Sequence, residues 1–350
     1  KNVKDKIVVI KLESPTDFTA WDRRKKVKLA EKMGAKQVVF SSENFELSLK
    51  KLHHFLTKSS MTLATDETKS NEDFIPFFFF SDELLSEIYR LEKQDEDFIV
   101  RYPRYETLEF IYQKAGGPIE SSNVLGLIEG SDPTLRDELI ILTAHYDHLG
   151  IQEGEIYNGA DDDGTGTVAL LEIAQAFQKA KEEGNGPKRS VLIMPVSGEE
   201  KGLLGSRYYS ENPVFPLKNT VANLNIDMIG RLDENHTKED YVYVIGADKI
   251  SQELHNVNEA TNKKYTKLEL DYTFNDENDP NRFYYRSDHY NFAKNGIPVI
   301  FYFSGVHEDY HQPTDEVDKI NFSKVETITQ LVFYTAWELA NKPTRLEINK

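Results

Sequence analysis

Five short clusters of residues able to hold metal or move protons fall between residues 145 and 311 of this 350-residue chain. They are His145-Tyr146-Asp147-His148, Asp161-Asp162-Asp163 ahead of Gly164-Thr165-Gly166, Glu199-Glu200 after Ser197-Gly198, Asp227 in an apolar run, and Tyr310-His311. Singly, each has a bland reading. A His beside an Asp is usually a polar surface pair. Aspartates at a helix start are stabilised by the helix dipole. Glu-Glu is commonplace in a charged chain. Asp227 is harder to set aside, because an Asp among Leu224, Ile226, Met228 and Ile229 is expensive to bury without a partner.

The chain has no cysteine, which excludes disulfides, thiolate zinc sites and a cysteine nucleophile. A transition metal here must use His, Asp and Glu. Take His145, Asp162, Glu200, Asp227 and His311 as ligands. Their three carboxylates and one bridging hydroxide then balance two divalent ions, so the cluster tolerates partial burial. Such ligands suit zinc, with cobalt or manganese as substitutes. One carboxylate must bridge to hold the ions about 3.5–4 Å apart, and Asp162, rigidly placed at a helix start, is the natural bridge. Asp147, two residues after His145, is placed to hold the free imidazole nitrogen. In extended chain, adjacent side chains point to opposite sides. Glu200 can therefore bind metal while Glu199 faces the water, takes its proton and returns it to a leaving amine. Tyr310 is suited to hydrogen-bond the oxyanion formed at the attacked carbonyl.

These residues need strands and helices to bring them together. Glu138–Ala144, Val191–Val196, Leu224–Met228 and Ile297–Phe303 read as strands. Thr167–Glu182 reads as a long helix, and a last helix begins at a capping box, Ser323-x-x-Glu326. Thr107–Gln113 and Asn123–Ile128 are further strand candidates. In the first half, Ile7–Ile10, Gln37–Phe40 and Phe74–Phe80 read as strands. Arg23–Met33 and Glu83–Leu91 read as helices, the second capped by Ser81-Asp82. Strands alternating with long helices predict an α/β protein with a largely parallel sheet sandwiched by helices. In such sheets ligands bind beyond the carboxyl ends of strands, where four of the five clusters lie.

Net charge is −17, from 59 acidic and 42 basic residues. This excludes general electrostatic tracking of nucleic acid and adhesion to anionic membranes. No run reaches the roughly 20 apolar residues of a membrane helix. The chain begins at Lys1, which points to a processed or truncated product.

The series His145-x-Asp147, Asp162-Asp163-Gly164, Glu199-Glu200, Asp227 and Tyr310-His311 resembles the M28 family of co-catalytic zinc metallopeptidases, mostly aminopeptidases. The match runs from about Asn123 to the C-terminus. The resemblance implies a zinc exopeptidase fold over 99–350 and two zinc ions bridged by Asp162. It pairs His145 with Asp227 and Glu200 with His311, makes Glu199 the general acid/base, and implies a cis peptide after Asp162. It also implies peptide substrates cut at the N-terminus and a secreted or periplasmic setting. Arg286, Asp288 and His289 fall where the family builds its substrate pocket; a surface loop plus a capped helix is the plain alternative. Residues 1–98 resemble a protease-associated (PA) domain through Lys6-Ile7-Val8-Val9, Gly34–Phe40 and Ile75–Phe79, so a piece N-terminal to this chain is expected. Rival readings are a carboxypeptidase or dipeptidase on the same scaffold, a single-zinc transferase resembling glutaminyl cyclase, and a catalytically inert binding ectodomain.

Overall fold

The computed structural model describes residues 3–11, 20–42, 44–50, 61–64, 77–95, 98–103 and 116–349. The chain divides into two units, Lys1–Pro118 and Ile119–Lys350.

In the first unit, strands β1 (Ile7–Lys11), β2 (Gln37–Ser42) and β3 (Phe77–Ser81) form a parallel sheet in that order. Helix α1 (Ala20–Lys32) packs Val27 and Ala30 against Val38 and Phe40. Ser81 Oγ accepts the Leu84 amide at 3.0 Å and caps α2 (Asp82–Ile88), as its hydroxyl predicts. The helix does not reach Leu91. Its expected end is instead strand β4 (Tyr89–Asp95), paired antiparallel with β5 (Phe98–Pro103). Antiparallel pairing with the strand that begins two residues further on overrides the weak local helix preference. A boundary after residue 98 would part β5 from β4; the division lies at Pro118–Ile119. The expected strand Thr107–Gln113 lies outside the described residues.

The second unit is built on a seven-stranded sheet in the order β13-β12-β14-β11-β7-β10-β6. These are β6 (Gly126–Ile128), β7 (Leu139–His145), β10 (Ser190–Val196), β11 (Thr220–Ile226), β12 (Tyr241–Ile245), β13 (Glu269–Asp271) and β14 (Val299–Phe303). A small hairpin, β8 (Gly150–Gln152) and β9 (Glu155–Tyr157), stands apart from it. The four central strands β10, β7, β11 and β14 are mutually parallel. All seven residues of β7, β10 and β11 are buried, as strands covered on both faces require.

Helices α3 (Gly166–Glu182), α5 (Gln252–Tyr265) and α7 (Phe322–Asn341) share one apolar cluster with the sheet. Helices α4 (Leu204–Glu211) and α6 (His289–Ala293) contribute Tyr209 and Phe292 to a second cluster. The cap of α7 differs from the expected Ser323 box: Asn321 is the N-cap, accepting the Lys324 amide at 3.1 Å, and Ser323 lies inside the first turn. Phe177 on α3 is fully buried and meets Phe333 and Trp337 of α7 at 4.9 and 5.7 Å between ring centroids. Phe177→Ala should cost about 3–5 kcal/mol and lower the melting temperature by about 10 °C, read by calorimetry. Among the described residues, no helix is long and apolar enough to cross a membrane.

Candidate metal centre

The four parallel central strands end at one edge of the sheet. His145 ends β7, Glu199 and Glu200 follow β10 after Ser197-Gly198, Asp227 follows β11, and His311 lies eight residues beyond β14. Asp162 arrives from the loop leading into α3, with a cis peptide to Asp163.

The five predicted ligands converge. His145 Nε2 lies 3.2 Å from Asp162 Oδ1 and 3.7 Å from Asp227 Oδ1. His311 Nε2 lies 3.1 Å from Asp162 Oδ2 and 3.2 Å from Glu200 Oε1. The two oxygens of Asp162 thus face two separate donor sets. His145 Nε2, Asp162 Oδ2 and Glu200 Oε1 are buried with no hydrogen-bond partner. Buried polar atoms without partners are rare and need an explanation. Converging imidazole and carboxylate donors fit divalent metal. The field in the site has the matching sign. Burial alone would lower the histidine pKa values, yet Asp162 and Glu200 push His311 up to about 9. Glu199, Asp162 and Asp227 likewise outweigh burial and hold His145 well above its ordinary value. A cation among these carboxylates is stabilised.

Among the described residues, two groups of side chains bring donor atoms within 4.8 Å of one another: His145 with Asp163 and Asp227, and His148 with Asp162 and Glu200. Asp163 is the poorer donor of its group. Its Oδ1 accepts the Met228 and Gly166 amides at 3.1 and 3.0 Å, and its Oδ2 accepts the His145 amide at 3.1 Å. Asp161 also turns away from the ligands. It accepts the Gly230 amide at 2.6 Å and Thr165 Oγ1 at 2.9 Å, and its Oδ2 lies 3.2 Å from His307 Nε2. Asp315 closes the bracket, accepting the Asp161 amide at 3.1 Å and the Asp162 amide at 3.2 Å. Of three consecutive aspartates, the middle one faces the donor atoms and the outer two clasp the loops that carry them.

Asp147 acts differently from expectation. Its backbone oxygen, 2.9 Å away, holds His145 Nδ1; its carboxylate stays 3.9 Å off. The carboxylate instead accepts the Glu199 amide at 3.1 Å and the Glu200 amide at 3.4 Å. The extended chain brings the carbonyl to the ring first and leaves the carboxylate for the neighbouring loop. Asp227 is oriented by Ser287 Oγ, which donates to its Oδ2 at 2.6 Å and accepts from Asn225 at 2.8 Å.

Beside the donors lies a small crevice of about 30 Å³, lined by Glu199, Arg286, Tyr310 and an apolar wall of Met228, Phe283, Phe301, Phe303 and Val306. Arg286 Nη2 donates to the Tyr310 hydroxyl at 3.3 Å, and the Tyr310 ring stacks on His311 at 3.9 Å. Of the expected pocket residues only Arg286 lines the crevice. Asp288 and His289 are fully buried where α6 begins. Asp288 accepts Ser206 Oγ, and burial pushes its carboxyl up to about 7. His289 stacks on Phe301 at 4.7 Å, on the core side of the wall. A larger groove of about 920 Å³, lined by His236, Tyr243 and Asp271 among others, presents no unpaired buried donor among the described residues. His236 faces Asp233 and Asp271 at 2.8 and 3.4 Å within its wall. The smaller crevice is therefore the candidate site.

The motif reading left three groups unassigned: His148, the Asp161–His307–Asp315 clasp, and Ser287. Only His148 had a local signal, a second histidine three residues after His145 at a strand end.

Parallel strands that present facing histidines and carboxylates, with a spare glutamate at the mouth of a crevice, define a metallohydrolase of the α/β class. Comparison with known proteins narrows the class: the sequence model of peptidase family M28 matches residues 123–336, and the chain belongs to that family. It is 24% identical over 347 residues to a probable zinc metalloprotease of Pyrenophora teres, covering 87% of this chain and 67% of that protein. It is 24% identical over 348 residues to aminopeptidase YwaD of Bacillus subtilis, covering 97% of this chain and 64% of that protein. The chain thus spans about two thirds of the length of these curated relatives. The structure of an aminopeptidase from Aneurinibacillus sp. superposes with a TM-score of 0.57 at 19% identity, covering 100% of this chain and 73% of that one.

Proposed function

We propose that this M28 peptidase is a two-zinc aminopeptidase that removes N-terminal residues from peptides. The observation that carries the reading is the convergence of unpaired buried donor atoms of His145, Asp162 and Glu200, completed by Asp227 and His311, beside a crevice that Glu199 enters. His145 and Asp227 would hold one ion, Glu200 and His311 the other, and Asp162 both. Bound there, two divalent ions would polarise the scissile carbonyl and acidify the attacking water.

The remaining work falls to the chain. Burial, aided by Asp227, Asp288 and Asp162 and opposed by His145, lifts the Glu199 carboxyl well above its ordinary range. In the proposed centre Glu199 would take a proton from the attacking water and return it to the leaving amine. Tyr310, oriented by Arg286, donates its hydroxyl to the developing oxyanion. The apolar wall receives the side chain of the departing residue. Tyr310→Phe should lower kcat ~10²-fold with KM nearly unchanged, measured in steady state; equal kcat values would remove Tyr310 from the mechanism.

The deciding experiment is metal analysis of purified protein together with a panel of free and blocked aminoacyl substrates. Protein without zinc, or without chelator-sensitive cleavage of aminoacyl anilides, would sink the reading. Arg286 at the crevice favours one rival, a carboxypeptidase or dipeptidase whose substrate carboxylate pairs with the guanidinium. Cleavage of N-blocked but not C-blocked peptides would select it. One zinc rather than two would revive a glutaminyl-cyclase-like transferase. The first unit, with its parallel sheet of β1, β2 and β3, is proposed as a PA-like module, and the setting as secreted or periplasmic.

A further inference from the structure

His148 has no task in the reading above, yet it is placed as a ligand would be. Its side chain is 7% exposed. Its Nδ1 lies 2.9 Å from Glu200 Oε1 and 3.9 Å from Asp162 Oδ2. His311 Nε2 lies 3.2 and 3.1 Å from the same two oxygens. Both His148 nitrogens, Glu200 Oε1 and Asp162 Oδ2 are buried without hydrogen-bond partners. Donors on one tetrahedral zinc, each about 2.0–2.2 Å from it, stand roughly 3.3–3.6 Å from one another. The four separations bracket that value. So do the 3.2 and 3.7 Å between His145 and its partners Asp162 and Asp227, at the other half of the centre.

A second observation comes from the backbone. Gly159 has a φ of +63°, and a Cβ there would stand 2.4 Å from His148 Cγ and 2.2 Å from the Asp162 backbone oxygen. Position 159 admits no side chain because the His148 ring is packed against the loop that delivers Asp162. The ring is held where it is by the same turn that places the bridging carboxylate.

We propose that His148 is a ligand to the metal ion held by Glu200, His311 and Asp162. That position then has four protein donors, while the His145–Asp227 position has three. Closed four-donor sites are structural, and three-donor sites keep a place for water or substrate. The inference is that the substrate carbonyl is met on the His145–Asp227 side. The proposal rests on the two-metal reading.

The test uses the whole chain, wild type and the variants His148→Ala and His148→Gln, stripped of metal and titrated with zinc and with cobalt. Wild type should take up two ions. Each variant should keep one at wild-type affinity and bind the second ~10²-fold more weakly, with a changed visible spectrum for that cobalt equivalent. Metal-free variants should melt within a few degrees of metal-free wild type, so the loss is not unfolding. Two ions at wild-type affinity in the variants overturns the proposal alone. Weaker binding with an unchanged cobalt spectrum also overturns it, since His148 would then only hydrogen-bond Glu200. Wild type that binds one ion or none overturns the two-metal reading, and the proposal with it.

Discussion

Replacing Glu199 with Gln should leave two zinc ions bound and reduce turnover by about 10³-fold, the upper part of the range for a lost general base. That loss corresponds to about 4 kcal/mol of transition-state stabilisation. The geometry explains both halves of the expectation. Glu199 lines the crevice, and among the described residues its carboxylate belongs to neither group of converging donor atoms. Its backbone is fixed through the amide that donates to Asp147 Oδ1 at 3.1 Å. Gln keeps the shape and the backbone bond and loses only the ability to take a proton. KM should change little, because the lost interaction belongs to the transition state. Zinc analysis and steady-state kinetics on one preparation check the result. Wild-type turnover, or loss of zinc, would move the base elsewhere.

Much of this candidate site is legible in the sequence because His145, Glu199-Glu200 and Asp227 each follow a strand whose apolar run is unmistakable. Ile140–Ala144 before His145 and Val191–Val196 before Glu199-Glu200 announce strands, and parallel strands end at one edge. The largely parallel sheet covered by helices follows the same logic. What stayed hidden depends on contacts between distant segments. Asp315 brackets the amides of Asp161 and Asp162 from about 150 residues away, and no local pattern announces it. Asp288 and His289 look like pocket residues because they are polar and follow Arg286. Ser206 and Phe301 turn them inward, and that is a packing outcome. Asp147 shows the subtler limit. Its proximity to His145 is correct, yet which of its atoms touches the ring depends on where the Glu199 loop passes.

Asp162→Asn should take the chain from two bound zinc ions to one or none and remove essentially all peptidase activity. In the proposed centre Asp162 is the shared element: Oδ1 faces His145 at 3.2 Å and Oδ2 faces His311 at 3.1 Å. Burial alone would raise its pKa, but the histidines on either side hold its carboxyl well below the ordinary range, so it is anionic and ready to bridge. Asn offers one neutral oxygen in place of two charged ones and cannot serve both donor sets. The fold should survive, because the loop is held by other groups. Asp315 accepts the amide of residue 162, Asp163 accepts the amides of His145, Gly166 and Met228, and Asp161 accepts that of Gly230. Thermal melts therefore separate this variant from a misfolded one. Zinc at about 1,000 times its dissociation constant should stabilise the wild type by ~4 kcal/mol for each bound ion, raising its melting temperature by about 10 °C per ion. The metal-free variant should melt cooperatively near the metal-free wild type, and zinc should raise its melting temperature by half the wild-type shift or not at all. A variant that still gained the full shift and bound two ions would show that Asp162 does not bridge, and Asp163, whose oxygens lie within the same 4.8 Å grouping as His145 and Asp227, would become the carboxylate to test.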